Sequence, residues 1–138
     1  MQARVHQGTV DYSAQLAIPA ALDFQAGIDR TAKLARLQYL RNRWVRPLRG
    51  LSGLEILLPD DPRLHGASTS FRINGRNSVA DNIAITDDLL NRFGIMTVFR
   101  AGLTDGACVR VTPSLFTTPA DVDRLVPALK TLVAERAV

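Results

Sequence analysis

The sequence predicts an α+β fold, in which a small, mainly antiparallel sheet has helices on one face and follows an N-terminal helical segment. Two observations support this prediction. Apolar residues recur with a helical period as far as Leu48, and with a shorter, strand-like period after a break that contains Gly50 and Gly53. Beyond that break, the segments follow in the order β-β-α-β-β-α. We therefore predict a helical segment over residues 1–50 and a small α/β domain over residues 51–138.

Two helices are predicted in the first segment. The first follows Asp11 and contains Pro19, which either bends this helix or begins it. Gly27 separates it from a second helix that begins at Asp29. The apolar side chains of the second helix fall within an arc of roughly 120°. They are Leu34, Leu37, Leu40, Trp44 and Leu48.

Arginines occupy the other side of the second helix, at positions 36, 43 and 46, and predict a basic outer face. A basic helix and a formal net charge of +4 raise the expectation of a nucleic-acid partner. Aromatic residues make up only 6% of the chain, however, and no aromatic RNA-binding strand motif is present. We favour a surface that is solvated or faces a protein partner, and we predict no nucleic-acid binding.

Four strands and a helix are predicted in the small domain before its last helix. The strands are Leu54–Leu58, Thr69–Ile73, Ile95–Phe99 and Ala107–Val111. In the second strand, polar residues alternate with apolar ones, so we expect it to be half-buried with Ser70 and Arg72 on the outer side. The helix covers much of Val79–Phe93, with Gly94 as its C-terminal cap and Ser78 or Thr86 as its N-cap.

The last helix has a complete start signal. Thr118 is the predicted N-cap, Pro119 takes the first helical position, and Asp121 completes a capping box. Apolar residues then recur at helical spacing. They are Val122, Leu125, Val126, Leu129, Leu132 and Val133.

The cysteine, lysine and histidine residues of the sequence argue against a disulfide, a Schiff-base lysine and a metal site. Its one cysteine, Cys108, cannot form an internal disulfide. Its two lysines, Lys33 and Lys130, lie on amphipathic helices without the burial or cationic neighbours that activate an amine. The histidines at positions 6 and 65 lack the spacing of a metal site. We therefore predict no catalytic residue and no metal ligand. No apolar run is long enough to cross a membrane and no secretion signal is present, which favours a cytoplasmic protein.

Two arginines are the candidate binding residues. Arg100 and Arg110 each lie on a strand-like run beside a polar loop, and a guanidinium matches a carboxylate through two parallel hydrogen bonds. The alternative is that each is solvated or paired with Asp105, Asp121 or Asp123. Near the N-terminus, Gly8 and Thr9 offer an N–H and an O–H to a phosphate oxygen, or else Thr9 caps the first helix.

The sequence resembles the C-terminal part of class V aminotransferases, pyridoxal-phosphate enzymes of fold type I that include isopenicillin N epimerase-like proteins and cysteine desulfurases. Nearly the whole chain takes part in the resemblance. The matching motifs are Gly8-Thr9, Ala20-Ala21-Leu22-Asp23-Phe24, Phe93-Gly94-Ile95, Arg100-Ala101-Gly102, the run from Cys108 to Thr118, and Asp121-Val122-Asp123-Arg124-Leu125.

The resemblance assigns roles to the matching residues. Arg110 matches the arginine that binds the substrate α-carboxylate, and Arg100 matches an arginine of the same cleft. Thr9, after Gly8, matches a threonine that touches the cofactor phosphate of the neighbouring subunit, which implies a homodimer. The loop Leu103–Gly106 lacks the nucleophilic cysteine of desulfurases, so the epimerase-like branch fits better.

The resemblance also implies that pyridoxal phosphate is held by a portion N-terminal to Gly8, which carries the Schiff-base lysine and has no counterpart here. That portion belongs to the same longer protein or to a separate chain. We expect this chain to contribute an arginine that orients an amino-acid substrate, and to bind no cofactor by itself. The alternative is a non-catalytic binding or assembly module that retains the fold.

Overall fold

The structure is a computed structural model that describes residues 12–137. It divides the chain into two compact units, Met1–Lys33 and Leu34–Val138. The Gly8 and Thr9 predictions lie outside the described residues. No helix of the described part is long and apolar enough to cross a membrane.

The first unit contains helix α1, Tyr12–Ala26, and the start of helix α2, Arg30–Leu48. Helix α1 runs through Pro19, so this proline does not begin a helix. The turn at Gly27 separates the two helices, as predicted, and the Asp29 carboxylate accepts a hydrogen bond of 2.6 Å from the backbone N–H of Ala32. None of the residues of α1 is buried, although several are large and apolar. They include Tyr12, Leu16, Leu22 and Phe24.

The second unit is an α+β domain that includes the rest of α2, and the predicted fold class is confirmed. Its elements are β1 (Leu54–Ile56), β2 (Thr69–Ile73), α3 (Val79–Phe93), β3 (Val98–Leu103), β4 (Gly106–Val111), α4 (Pro119–Asp123) and α5 (Leu125–Glu135). The strands form one sheet in the order β1-β2-β4-β3, and each neighbouring pair is antiparallel.

The predicted helix caps of this unit are largely confirmed. Ser78 caps α3 by accepting a hydrogen bond from the backbone N–H of Asp81, and Gly94 ends the helix with a left-handed φ of 64°. The other N-cap candidate, Thr86, lies inside the helix and donates to the carbonyl of Ile83. Thr118 and Asp121 form the predicted capping box, although the last helix is divided into α4 and α5.

One strand lies further along the chain than predicted. The sequence predicts β3 over Ile95–Phe99, but β3 begins at Val98 and ends at Leu103. Its extent is set by pairing with β4, from Val98 opposite Arg110 to Leu103 opposite Gly106. Ile95 lies before the strand and packs against the core. Its hydrophobicity therefore reflects tertiary packing and not strand position.

The core lies on one face of the sheet. Phe71 and Val109 face each other across β2 and β4, and both are fully buried beneath the helices. Trp44 of α2 meets Phe71 edge-on, with ring centroids 6.1 Å apart. Helices α2, α3, α4 and α5 all contribute to this core. Their buried apolar residues include Leu40, Leu48, Ile85, Leu89, Val122, Leu125, Leu129 and Leu132. The opposite face of the sheet carries the candidate site.

Candidate functional site

Side chains alternate between the two faces of a strand, so the register of the sheet shows which residues share the face opposite the core. Arg110 pairs with Ser70 of β2 on one side and with Val98 of β3 on the other. Arg100 pairs with Cys108. We call this surface the arginine face. It consists of Ser70, Arg72, Val98, Arg100, Cys108 and Arg110, and Glu55 of β1 lies opposite Arg72.

The structure thus places both predicted arginines on one surface. Arg100 and Arg110 are diagonal neighbours on adjacent strands, an arrangement that separates Cα atoms by about 7–8 Å and Cβ atoms by somewhat less. Helix α5 packs on the other face of the sheet, against Phe71 and Val109, so it does not cover Arg110.

Neither arginine has a partner among the described residues. Arg110 is half-buried, and its Nε is buried without a hydrogen bond. Arg100 is exposed. A buried donor of this kind costs free energy unless water, a ligand or another polypeptide segment supplies an acceptor.

The carboxylates suggested as alternative partners for these arginines are engaged elsewhere or unpaired. Asp121 caps helix α4 and Asp123 binds Arg43 of α2. No ion pair of Asp105 is present in the described part of the chain, and its backbone carbonyl accepts a hydrogen bond from Asn77. The ion-pair alternative is therefore wrong for these three partners.

Arg72 is a member of this face that the sequence prediction placed in solvent. It is only 8% exposed. Its Nε donates to the carbonyl oxygen of Ala107 at 2.9 Å, and its Nη1 lies 3.9 Å from the Glu55 carboxylate. The alternation of β2 places Arg72 on the correct face, but the sequence carries no signal for the acceptors that allow it to be buried.

A tight hairpin holds the two arginine strands together. The chain turns at Thr104 and Asp105, and Gly106 adopts a φ of 98°, which L side chains rarely adopt. Asn77 anchors the turn, because its carbonyl accepts from the backbone N–H of Ala107 at 2.6 Å and its side-chain amide donates to the carbonyl of Asp105 at 2.9 Å. The hairpin is thereby fixed to the start of α3.

The segment after Arg110 is also fixed. Ser114 and Thr117 close a turn, in which the Ser114 N–H donates to the Thr117 hydroxyl and the Thr117 N–H donates to the Ser114 carbonyl. Arg36 of α2 donates to the carbonyl of Thr117 at 3.0 Å. Phe116, at the tip of this turn, is 81% exposed. Helix α2 therefore anchors the exit from β4.

The predicted basic outer face of α2 is mostly occupied by contacts within the domain. Arg36 binds the turn after β4, and Arg43 binds both carboxylate oxygens of Asp123 and the hydroxyl of Tyr39. Of the three predicted arginines, only Arg46 has a side chain that makes no hydrogen bond or ion pair with the described residues. Sequence periodicity could not show this, because Thr117 and Asp123 are 80 or 81 residues away from the arginines that bind them.

No lysine of the chain has the setting of a Schiff-base residue. The Nζ of Lys33 donates to the side-chain oxygen of Gln25 at 2.9 Å and to its carbonyl, and Lys130 is exposed on α5. Within residues 12–137 there is no group of three or more histidine, cysteine, aspartate or glutamate residues that could hold a metal ion. His65 is described and lies in a loop, whereas His6 is outside the described residues.

A separate cavity of about 330 Å³ lies away from the arginine face. It is bounded by residues 94–97, the end of β4 and helix α4, and neither Arg100 nor Arg110 lines it. The hydroxyl of Thr97 is buried there without a hydrogen bond. The two candidate arginines thus occupy an open sheet surface and not an enclosed pocket of this chain.

Comparisons with known proteins agree with the resemblance seen in the sequence. The chain is 36% identical over 126 residues to isopenicillin N epimerase from Amycolatopsis lactamdurans, which covers 91% of this chain. It is 32% identical over 129 residues to isopenicillin N epimerase from Streptomyces clavuligerus, which covers 94% of it. The chain spans 31% of the length of each of these relatives. No family model matches the chain.

The fold also matches that of a solved enzyme. The cysteine desulfurase CsdA from Escherichia coli superposes with a TM-score of 0.72 at 19% sequence identity, over 98% of this chain and 33% of that one. At this identity the match shows a shared fold. Together, the relatives and the fold identify the chain as a homologue of the C-terminal part of a class V aminotransferase of the isopenicillin N epimerase type.

Proposed function

We propose that this chain is the substrate-orienting part of a pyridoxal-phosphate-dependent class V enzyme, and that Arg110 binds the α-carboxylate of an amino-acid substrate. Arg100 lines the same cleft. In that enzyme, residues 1–50 form the tail of the large domain and a linker helix, and residues 51–138 form the small domain. Gly8 and Thr9 contact the cofactor phosphate of a neighbouring subunit.

The observation that carries the proposal is the unpaired Arg110 guanidinium on the sheet face that the helices leave open. The strand fixes its backbone through pairing on both sides, since Ser70 and Val98 flank it. A guanidinium on a backbone that is held in this way binds a carboxylate without the entropy cost of ordering a loop. Such a contact would fix the orientation of the substrate Cα relative to a cofactor.

The described residues of this chain do not fit pyridoxal phosphate itself. The cofactor requires a lysine whose amine is buried or placed beside a cation, and neither Lys33 nor Lys130 meets that requirement. We therefore assign the cofactor to a different portion of the complete enzyme, either N-terminal in the same protein or on a separate chain. The expected role of this chain is binding and orientation.

Three further features belong to the proposal. A homodimer is expected, because the apolar residues of α1 are exposed in the described structure and require a cover. Nucleic acid is not an expected partner, since Arg36 and Arg43 are used inside the domain. A cytoplasmic location is the expectation from the sequence.

A chimeric enzyme tests the role of Arg110. The aligned region of the Amycolatopsis lactamdurans epimerase is replaced by this chain, and amino-acid binding is followed through the absorbance of the bound cofactor. Arg110→Gln should weaken binding by roughly 10- to 100-fold, because a hydrogen-bonded charge pair is lost. Arg46→Gln removes an exposed, unpaired arginine of α2 and is the matched control. Equal affinity in the Arg110→Gln and unmodified chimeras would refute the assignment.

A further inference from the structure

The arginine face carries more positive charge than one carboxylate balances. Its three arginines and the neighbouring Glu55 give it a net charge of +2. Arg72 is held by Glu55 and by the carbonyl of Ala107, so its guanidinium is already engaged. Arg100 and Arg110 remain without partners among the described residues.

The two free arginines differ in their surroundings. Arg110 is half-buried and lies directly opposite Ser70, whose hydroxyl makes no hydrogen bond within the described part of the chain. Arg100 is exposed and lies opposite Cys108, which is buried and offers only a weak donor. One position therefore combines a guanidinium with a hydroxyl, and the other offers a guanidinium alone.

The spacing of the two arginines makes these two distinct positions for an anionic group. As diagonal neighbours, their Cα atoms are about 7–8 Å apart and their Cβ atoms somewhat closer. The pairing of Arg100 with Cys108 and of Arg110 with Val98 places them at different levels of the sheet. Two anionic groups joined by a short carbon chain would occupy both positions at once. A single carboxylate, in contrast, forms two parallel hydrogen bonds with one guanidinium.

Building on the proposed function, we propose that the arginine face is built for an amino acid with a second anionic group on its side chain. Arg110 and Ser70 bind the α-carboxylate, and Arg100 binds the side-chain anion. Arg72, whose charge is balanced by Glu55, forms the fixed wall of this surface. Ser70 is thus a further binding residue, and Arg100 determines substrate specificity.

The test compares two amino acids of equal chain length, glutamate and norvaline, which differ in a terminal carboxylate against a methyl group. Binding to the full chain is measured by NMR titration, following the side-chain Nε–H signals of the arginines. Glutamate should bind about 3- to 10-fold more tightly than norvaline, a modest ratio because Arg100 is exposed.

Single substitutions then separate the two positions. Arg100→Gln should remove the preference for glutamate and leave norvaline binding unchanged. Ser70→Ala and Arg110→Gln should weaken the binding of both amino acids, and Arg46→Gln should weaken neither. This pattern would support the assignment of one anionic group to each arginine.

Two results would overturn this inference while leaving the proposed function intact. One is equal binding of glutamate and norvaline. The other is an Arg100→Gln variant that weakens both amino acids equally, which would show that both arginines hold one α-carboxylate. If the Arg110→Gln variant instead binds both glutamate and norvaline as tightly as the wild type, the proposed function itself is refuted. If neither amino acid binds to the chain, this inference is overturned, whereas the proposed function is decided by the Arg110→Gln chimera.

Discussion

Arg43 of α2 binds the carboxylate of Asp123 in α4 through two parallel hydrogen bonds, 2.5 Å from Nε to Oδ1 and 2.7 Å from Nη2 to Oδ2. The two residues are 80 positions apart in the sequence. The pair joins the helix that precedes the sheet to the helix that follows it. It also stands beside the Arg36 contact that anchors the turn after β4.

This ion pair predicts a pH dependence of stability. The hydrogen bond from Arg43 holds the pKa of the Asp123 carboxyl below its usual value of 3.8. The folded state therefore binds this proton less readily than the unfolded state. The contribution to stability is present above pH 3.8 and disappears as the pH falls through the lower pKa of the folded state.

The measurement is urea denaturation of the wild-type chain and of Asp123→Asn, at pH 7 and at successively lower pH. Asp123→Asn should be less stable than the wild type at pH 7, and the difference should vanish in acid. Asp87→Asn, at an exposed aspartate without an ion pair among the described residues, is the control. A difference that is constant across the whole range would contradict the prediction.

The capping box of α4 gives a second prediction. Thr118 accepts a hydrogen bond from the backbone N–H of Asp121, and the Asp121 carboxylate accepts one from the backbone N–H of Thr118. Thr118→Ala should lower the free energy of unfolding by about 1 kcal/mol, because it leaves an N–H of the first turn unsatisfied. Thr131→Ala, at an exposed site within α5, should change it little. Thermal or urea denaturation measures the free energy of unfolding of both variants. Equal losses in Thr118→Ala and Thr131→Ala would show that the cap contributes nothing.

Such local signals explain why much of the fold could be predicted. The caps at Ser78, Gly94 and Thr118 depend on residues three or four positions apart, and all three are present in the structure. The four strands and their order along the chain follow from strand-like apolar runs and turn residues, whereas their order in the sheet was not predicted. The extent of β3 could not be predicted, because pairing with β4 decides it.

In the candidate site, too, features set by the local sequence could be predicted, and features set by tertiary contacts could not. Motif resemblance and their position beside a polar loop indicated Arg100 and Arg110, although Arg100 lay just beyond the predicted third strand. That they share one face depends on the register of the β3–β4 hairpin, which the bulge between Arg100 and Leu103 makes irregular. The burial of Arg72 depends on the Ala107 carbonyl, 35 residues away. The periodicity of the sequence predicts neither the register of the hairpin nor the contact of Arg72.

The hairpin itself gives a third prediction. A Cβ atom added at Gly106 would lie 2.5 Å from the backbone oxygen of Asn77, and the φ of 98° is already unfavourable for an L residue. Gly106→Ala must therefore move the hairpin away from α3 and break the contact of Asn77 with Ala107. We expect a loss of stability well above the roughly 1–2 kcal/mol of backbone strain alone.

Gly75→Ala is the matched control for this substitution. Gly75 also has a positive φ, of 69°, but no atom lies within 4 Å of the Cβ that would be added. Its replacement should cost the backbone strain and nothing more. Urea denaturation compares the two variants, and NMR shifts of Arg100 and Arg110 report movement of the hairpin. Equal destabilisation would show that the contact with Asn77 is unimportant.

Arg41 gives the last prediction, because it is an arginine with no exposed surface inside the second unit. Its Nε donates to the hydroxyl of Thr69 at 3.0 Å, and its Nη1 lies 3.7 Å from the Asp60 carboxylate. Its Nη2 is buried without a partner. Burial lowers the pKa of the Arg41 guanidinium below its usual value, and Asp60 opposes this shift in part.

A buried charge with an unsatisfied donor contributes little net stability, so an apolar side chain of similar length should replace it well. Arg41→Met alone leaves the buried Thr69 hydroxyl without its partner and should cost about 1–3 kcal/mol. Arg41→Met combined with Thr69→Val removes both polar groups and should restore the wild-type free energy of unfolding or exceed it. A double-mutant cycle in urea measures the coupling. If the double variant is no more stable than Arg41→Met, then the guanidinium stabilises the fold through its contacts with Asn42 and Asp60 and not merely by satisfying Thr69.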